Sequence, residues 1–393
     1  MSDSVVIASY ARTPIGGFQG VLAGLKSTEL GSAAVKAAVE RAGVAIEKID
    51  RVYMGCVLPA ALGQAPARQA ALGAGLPISA EATTINKMCG SGMQAAIMGH
   101  EALLSGTADV VVAGGMESMT NAPYALPKHR AGARIGHDRV IDTMMMDGLE
   151  DAYTPGKAMG AFAEDAVRDY QFTRREQDAY ALRSLERANA AIANGGFKKE
   201  IVPITLSGRG GKTVVDTDEQ PGKAKPEKIP DLKPAFVPDG TITAANASSI
   251  SDGAAALVMT RRSVAEMLGL PIVATVVAQA AHAHEPARFT TAPVPAINKL
   301  LAKTGWKIGD VDLFEINEAF AVVAMIAAKD LNIPMDKLNV NGGATALGHP
   351  IGASGARIIA TLLGALENRG LKRGIASLCI GGGEATAMAF ELN

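Results

Sequence analysis

The chain repeats one order of predicted strands and helices, once in each half. In both copies a helix begins with small residues, at 90–97 in the first half and at 352–359 in the second. Both copies end in a strand that runs into glycines, at 110–115 and at 375–383. Strands that alternate with helices predict a layered α/β fold with parallel pairing. A repeat of this length indicates a duplicated domain and not a solenoid.

The length of the chain predicts more than one domain. Its 393 residues exceed what one ordinary core holds. We expect an N-terminal half at 1–117, whose core returns at about 248–270, and a C-terminal half at 271–393. Residues 118–247 have a more loop-like sequence than the two halves. They predict an inserted loop domain that holds the substrate, since long insertions are usually functional. Two similar halves stacked across a pseudo-twofold axis would bring equivalent loops to one cleft.

Local signals predict where individual helices begin and end. In the insertion, Thr173 and Glu176 have the spacing of a capping box, and the helix that follows is expected to run to Asn194. Near the N-terminus, Thr28 is predicted as the N-cap of a helix that Gly43 ends.

Charge and cysteine content exclude several classes of protein. A formal net charge of −1 argues against a nucleic-acid binder. No apolar run approaches the roughly 18 residues of a membrane span, and no leader pattern precedes the first predicted strand, so we expect a cytoplasmic protein. The three cysteines, Cys56, Cys89 and Cys379, are too few for a disulfide framework. No paired Cys or His spacing predicts a metal site.

Cys89 lies at the hinge between a predicted strand and a predicted helix. A helix start offers unpaired N–H groups and a positive dipole end, which favour a thiolate. Gly90 and Gly92 would let the backbone turn and a substrate approach. A cysteine in such a place could hold an acyl group as a thioester.

Four segments with reactive or glycine-rich sequences fall at predicted strand or helix ends. Residues 89–92 read Cys-Gly-Ser-Gly, 317–320 read Asn-Glu-Ala-Phe, 348–352 read Gly-His-Pro-Ile-Gly, and 379–383 read Cys-Ile-Gly-Gly-Gly. In this order they resemble the thiolase family, the acetyl-CoA C-acetyltransferases and 3-ketoacyl-CoA thiolases, and the resemblance covers the whole chain. It implies a duplicated βαβαβαββ core whose two stacked halves form an α/β/α/β/α arrangement, with an inserted loop domain.

The reaction of that family needs several groups in one place. Joining two acetyl thioesters requires an acyl-holding nucleophile, a base for the methyl proton and donors for two oxyanions. By resemblance, Cys89 is acylated, and His349 activates it and donates to the thioester oxygen. Cys379 removes the α-proton or protonates the leaving thiolate. The Gly381 and Cys89 amides form one oxyanion hole, while Asn317 holds a water that pairs with His349 in the other.

Each of these residues also has a purely structural interpretation. Cys89 could be a buried structural cysteine, His349 a packing residue, and Cys379 a core residue at a strand end. Asn317 could be a helix N-cap. Glu318 either orients the site or favours the helix start.

The resemblance also implies a coenzyme A site and no prosthetic group. Ser248 matches a residue that bonds the pantetheine. Apolar tunnel positions are matched by Leu149, Met159, Phe236, Ala319 and Phe320. Coenzyme A and acetyl-CoA are therefore expected as substrates.

The chain departs from the family pattern at three places. Ala158 replaces a common histidine, and Phe289 replaces a methionine near the acyl pocket, where its ring could either shorten the pocket or turn outward. Residues that contact the nucleotide in some members are absent. Lys223, Lys225 or Lys228 could bind the 3′-phosphate instead, since ammonium groups bind phosphate as point charges; a solvated loop is the alternative.

The resemblance favours an acetyl-CoA C-acetyltransferase with a ping-pong mechanism. A thiolase of broader chain length in fatty-acid breakdown is the main alternative, followed by a decarboxylating condensing enzyme and a non-catalytic acyl-CoA-binding protein. A nucleotide-binding dehydrogenase is excluded because no Gly-x-Gly-x-x-Gly follows the first strand. Family members form homodimers or homotetramers, so a homo-oligomer, a dimer of dimers, is expected.

Overall fold

The computed structural model describes residues 3–208 and 211–393. The strands are β1 (Val5–Arg12), β2 (Gly16–Gly17), β3 (Arg51–Gly55), β4 (Glu81–Ile85), β5 (Val110–Ser118), β6 (Tyr124–Ala125), β7 (Ile141–Asp142), β8 (Ile204–Gly208), β9 (Gly211–Val215), β10 (Ser251–Arg261), β11 (Ala274–Ala283), β12 (Leu313–Ile316), β13 (Arg373–Ile380) and β14 (Glu384–Leu392). The α-helices are α1 (Ser27–Ala42), α2 (Pro66–Gly73), α3 (Ser91–Leu104), α4 (Met159–Tyr170), α5 (Arg174–Ala193), α6 (Glu219–Lys223), α7 (Arg262–Leu268), α8 (Pro293–Thr304), α9 (Ala321–Leu331), α10 (Ala344–Leu347) and α11 (Ser354–Arg369). In these described ranges, no helix is both long enough and apolar enough to cross a membrane.

The main strands join edge to edge in the order β12-β13-β14-β11-β1-β10-β5-β3-β4, and β2 pairs with β10. The predicted parallel pairing is right for β4-β3-β5 and for β12-β13. It is wrong for the pairs between, which are antiparallel. The connection from β13 to β14 shows why, because a short turn can join only antiparallel neighbours. The two halves meet at β1 and β11, where the register pairs only Val6 with Thr275 and Ile7 with Ala274.

Alternation along the strands directs side chains into separate cores. In β1, Val6 faces a core with α1 and α2, whereas Ile7 faces a core shared with α3 and α11. In β14, Phe390 faces the same shared core, and Ala389 faces a third core with α8 and α9. The period of two in a strand explains both pairs. Helices α3 and α11 are thus a middle layer between the strands of the two halves, as in the predicted α/β/α/β/α arrangement.

The first turns of α3 and α11 pack backbone against backbone. A Cβ at Gly92 would lie 2.8 Å from the Ala356 nitrogen, and one at Gly355 would lie 2.2 Å from the Met93 nitrogen. Real Cβ atoms do not approach that closely, so both positions require glycine. The contact brings the loops that precede the two helices to the same place in the molecule.

Two helix boundaries test the capping signals in the sequence. The capping box of α5 is confirmed: the Glu176 N–H donates to the Thr173 hydroxyl at 3.2 Å, and the Thr173 N–H donates to the Glu176 carboxylate at 2.7 Å. The prediction for Thr28 is wrong, because α1 begins one residue earlier and has Lys26 as its N-cap. Gly43 does end α1, in the left-handed conformation with φ of 65°.

Buried ion pairs tie the segment between the halves to the first strand. The Arg12 guanidinium, fully buried, donates to Glu200 at 2.8 Å and to Asp218 at 2.7 and 2.9 Å. Asp218 also accepts from the Ile15 N–H at 2.8 Å. Removing one partner of such a pair would leave a buried charge without compensation, which typically costs about 3–5 kcal/mol.

Candidate active site

The site lies where loops from both halves meet. Cys89 lies between β4 and α3, and His349 lies in the turn before α11, so the contact between these helices brings the two loops together. Asn317 directly follows β12, and Cys379 is the second-last residue of β13. Because β12 and β13 are parallel neighbours, their carboxyl ends present both residues at the same edge.

The Cys89 turn is tight and partly strained. Met88, the residue before the cysteine, has φ of 47°, which non-glycine residues seldom adopt. The Ser91 hydroxyl donates to the Met88 carbonyl at 2.6 Å and accepts from the Lys87 N–H at 2.8 Å. These bonds hold the strained backbone and fix the direction of the cysteine side chain.

Backbone N–H groups from both halves face the Cys89 sulfur. They belong to Cys89 itself and to Gly381, and both favour the thiolate. Burial has the larger effect and raises the pKa of Cys89 to about 11. Burial raises the pKa of Cys379 as well, and the nearby Cys89 sulfur adds to this increase. Both thiols are therefore protonated at neutral pH, so the helix start alone does not produce a thiolate and a base is required.

The hydrogen bonds of His349 fix which ring nitrogen carries the hydrogen and which has a free lone pair. The Ser354 hydroxyl donates to the Pro350 carbonyl at 2.9 Å, and its oxygen lies 2.6 Å from His349 Nδ1. Because the Ser354 hydroxyl proton is already donated to the Pro350 carbonyl, the Ser354 oxygen can only accept a hydrogen bond from the ring. His349 Nδ1 therefore carries the hydrogen. The other nitrogen, Nε2, is buried and has no partner in the described part of the chain. Burial, and then the charge of Arg357, lower the pKa of His349 to about 3, so the imidazole is neutral with a free lone pair on Nε2.

Asn317 is buried and directed at the histidine. Its Nδ2 lies 3.5 Å from His349 Nδ1, which is a close approach and not a hydrogen bond because both nitrogens carry hydrogens. Its Oδ1 accepts from the Arg357 guanidinium at 3.2 Å. The N-cap alternative for Asn317 is wrong, because α9 begins at Ala321 with Phe320 as its N-cap.

Glu318 does not cap a helix either; it is the centre of a buried hydrogen-bond network. Its carboxylate accepts from Tyr180 at 2.9 Å, from Ser184 at 2.8 Å, and from Asn339 at 2.8 Å. Thr345 donates to it at 2.7 Å. These partners lie on α5, on α10 and in the loop before α10, so Glu318 joins the insertion to the loop that follows β12.

Most of the predicted apolar tunnel residues lie near one another. The methyl end of Met159 lies 3.6 Å from the place that a Cβ on Gly381 would take. The rings of Phe236 and Phe320 meet edge to face, with centroids 5.8 Å apart. Phe289 is 2% exposed and its ring centroid is 6.3 Å from that of Phe320, so it turns inward. Of the two alternatives for Phe289, the ring turned outward is therefore wrong, because the ring is buried beside Phe320.

The other predicted coenzyme A residues divide into two groups. Ser248 donates its N–H to the Ala319 carbonyl at 3.0 Å, beside the aromatic cluster. Leu149 packs, like Cys89, against the cluster of buried residues that contains Ile351. Lys223 and Lys228 are exposed on α6 and in the turn after it, and Lys223 pairs with Glu219. Among the described residues, no hydrogen bond or ion pair links these two lysines to the cysteines.

Sequence reasoning missed three buried polar residues around the site. They are Ser354, Arg357 and Glu117. The Glu117 carboxylate accepts from the Gly352 N–H at 2.8 Å and from the Val57 N–H at 2.9 Å, and so fastens the histidine turn to the loop after β3. Arg357 offered a signal, because it interrupts the apolar start of α11. Ser354 and Glu117 offered none, because their partners are distant or depend on the shape of a turn.

A duplicated α/β core that presents a half-buried cysteine from one half and a buried, neutral histidine from the other defines a protein suited to cysteine chemistry on a bound substrate. Residues 5–263 match the family model "Thiolase, N-terminal domain", and residues 270–392 match "Thiolase, C-terminal domain". The chain belongs to the thiolase family.

Curated relatives and solved structures agree with this assignment. Acetyl-CoA acetyltransferase 2 of Arabidopsis thaliana is 51% identical, and the match covers 99% of this chain and 97% of the relative's length. Acetyl-CoA acetyltransferase of Thiocystis violacea is 47% identical over the full length of both. The Acat5 thiolase of Ascaris suum, solved in complex with coenzyme A, is 42% identical with a TM-score of 0.94, over 99% of this chain and all of that one. The Bacillus anthracis acetyl-CoA acetyltransferase is 42% identical with a TM-score of 0.96, and the match covers 100% of this chain and 99% of that one.

Replacing Ser354 with alanine should slow the reaction of Cys89 with iodoacetamide by about 10-fold or more. Without the serine oxygen, Nδ1–H loses its acceptor, and the imidazole with its Nε2 lone pair is no longer held in one orientation. The alkylation rate of the unmodified protein should rise with pH toward the raised thiol pKa, with no step near the ordinary histidine value of about 6.5. The S354A variant should regain such a step if water enters and hydrates the ring.

The matched control is Ser32→Ala, which removes a serine hydroxyl bonded to the Thr28 carbonyl on α1. Mass spectrometry of the alkylated peptide would measure the rate at Cys89 alone. Equal alkylation rates for S354A, S32A and the unmodified protein across the pH range would contradict the role given to Ser354.

Proposed function

We propose that this protein is an acetyl-CoA C-acetyltransferase, which joins two molecules of acetyl-CoA reversibly to give acetoacetyl-CoA and coenzyme A. The observation that carries the proposal is the Cys89 sulfur, which faces the N–H groups of Cys89 and Gly381 and lies beside Cys379. Support also comes from the relatives named acetyl-CoA acetyltransferase and from the Ascaris thiolase solved with coenzyme A.

The first half-reaction transfers an acetyl group to Cys89. His349 Nε2 takes the thiol proton, and the thiolate attacks the thioester carbonyl of acetyl-CoA. The developing oxyanion is stabilised by the two N–H groups of Cys89 and Gly381. When the carbon–sulfur bond of the thioester breaks, the leaving coenzyme A thiolate takes a proton from Cys379. The site then holds acetyl-Cys89, an imidazolium and the Cys379 thiolate.

The second half-reaction forms the carbon–carbon bond. The Cys379 thiolate removes a methyl proton from a second acetyl-CoA, and the imidazolium Nε2–H, with Asn317, stabilises the enolate oxygen. The enolate attacks acetyl-Cys89, and the Cys89 thiolate that leaves recovers its proton from His349. All protein groups return to their initial protonation states. The buried, uncharged resting site favours this scheme, because the charges form only in pairs that lie close together.

Replacing Cys89 with alanine should abolish acetylation of the protein and reduce acetoacetyl-CoA thiolysis to background, because no thioester can form. Intact-protein mass spectrometry after mixing with acetyl-CoA, and loss of the acetoacetyl-CoA absorbance, would measure the two effects. Cys56→Ala is the control, since Cys56 is also buried but its thiol contacts Glu117 at 3.6 Å. An acetyl group on C89A, or its absence from the unmodified protein, would refute the proposal.

We place the pantetheine arm of coenzyme A between the loop residues Ser248, Leu149 and Met159 and the aromatic pair Phe236 and Phe320. Ala319 lies beside Phe320 and accepts from the Ser248 N–H. No prosthetic group is needed for the chemistry.

The 3′-phosphate of coenzyme A is proposed to contact Lys223, Lys225 or Lys228, which are all exposed. Replacing the three with alanine should weaken coenzyme A binding more at low than at high ionic strength, because salt screens exposed charges. Isothermal calorimetry at two salt concentrations would measure the difference. Unchanged affinity at both would leave the lysines as a solvated loop.

The inward ring of Phe289 favours short acyl chains over the broader chain length of a fatty-acid thiolase. It is 2% exposed and packs near Phe320, so it fills volume that a longer chain would need. Phe289→Ala should therefore raise the rate of thiolysis of longer 3-ketoacyl-CoA substrates relative to acetoacetyl-CoA.

The control for this prediction is Phe197→Ala, which truncates a buried phenylalanine that packs under Arg12. Rates for a series of chain lengths would be compared in the three proteins. A rate ratio that does not change in F289A would remove the ring as a limit on chain length.

Assembly and location complete the proposal. We infer a homo-oligomer, a dimer of dimers, from the family, and size measurement in solution would test it. The three cysteines are free in the structure, which is consistent with a reducing compartment such as the cytoplasm. Fatty-acid metabolism is a natural setting for acetoacetyl-CoA chemistry.

A further inference from the structure

In the part of the chain that the structure describes, two arginines are almost fully buried, and they are bound in different ways. Arg12 is fully paired, since its guanidinium bonds the Glu200 and Asp218 carboxylates and the Thr13 carbonyl. Arg357, on α11, makes a hydrogen bond to a described residue through only one of its nitrogens, to Asn317 Oδ1 at 3.2 Å. Burying a charge is expensive unless it is paired and bonded. The arrangement of Arg357 therefore calls for an explanation other than stability.

The acidic neighbour of Arg357 is a weak partner. Glu315, in β12, lies 3.8 Å from Arg357 Nη1, beyond hydrogen-bond distance. In the described part of the chain, Arg357 Nε and Nη1 and Glu315 Oε1 have no hydrogen-bond partner. Burial also raises the pKa of Glu315, to about 8, even though the arginine opposes this. Among the described residues, the bond to the Asn317 amide is therefore the one hydrogen bond that this guanidinium makes.

That bond determines which way the amide faces. A guanidinium has only donors, so the Asn317 oxygen must point at Arg357 and the nitrogen must point away, toward His349. A cation on the carbonyl oxygen also polarises the amide, which makes its N–H groups stronger donors. A donor fixed before the reaction stabilises a developing oxyanion without reorganisation.

We propose that Arg357 is a positioning residue for the oxyanion site formed by Asn317 and His349: it fixes the orientation of the Asn317 amide and strengthens it as a donor. The proposal rests on the function proposed above. It acts on the step in which the enolate of the second acetyl-CoA forms, because that oxyanion faces Asn317. Binding of coenzyme A itself does not depend on Arg357.

A double-mutant cycle tests the proposal. R357M should lower kcat by about 10- to 100-fold, as small misplacements at reacting groups do, and leave KM for acetyl-CoA unchanged. In the N317A background, R357M should change kcat by less than about twofold, because its target is gone. An equal loss in both backgrounds, or no loss in the first, would overturn the proposal.

Controls separate this outcome from unfolding and from failure of the proposed function. Thermal unfolding would show whether R357M is folded. If it is not, R357K takes its place in the cycle, since lysine keeps the charge but lacks the forked donors of the guanidinium. E315Q alters the same buried region without touching Asn317 and should leave kcat close to that of the unmodified protein. If the unmodified protein does not acetylate Cys89, the proposed function fails; if it does and the cycle is additive, only the role of Arg357 fails.

Discussion

The backbone contact between the first turns of α3 and α11 is the constraint on which the site depends. Gly92 and Gly355 allow it, and a methyl group at either would push the helices apart. The loop before α3 contains Cys89, and the turn before α11 contains His349. Duplication of the core thus supplies two equivalent loops, and close packing of the helix starts brings the loop with the thiol and the turn with the imidazole to the same part of the molecule.

Burial gives the site its second property, which is that its two thiols and its histidine carry no charge at rest. It raises the pKa of both thiols and lowers that of His349. Separated charges would be costly there, so a proton that leaves one group must be held by another nearby. Two N–H groups face the Cys89 sulfur, and one polarised amide faces the histidine, which leaves donors in place for charge that appears only during reaction.

The parts that the sequence predicts are those fixed by local chemistry. The capping box at Thr173 and the strand–turn–helix at Cys89 depend on neighbouring residues and glycines, so pattern alone identifies them. The resemblance identified the site segments, but the environments of their residues depend on tertiary contacts. Ser354 matters because its oxygen lies near a ring nitrogen, and Glu117 because two distant loops donate to it. No spacing in the sequence encodes either contact, and the antiparallel pairing of the middle strands was missed for the same reason.

Arg357 shows how a buried charge can serve a neighbour more than the fold. Arg12 and Arg357 are both almost fully buried, yet the first is saturated by two carboxylates, whereas the second bonds one amide oxygen among the described residues and is left unsaturated. A saturated arginine holds elements together, and its field is largely cancelled by its partners. An unsaturated one retains its field, which here falls on Asn317 and on His349, whose pKa it lowers further. The same charge therefore adds to the burial that keeps His349 neutral, and in the proposed mechanism it also keeps the Asn317 amide oriented.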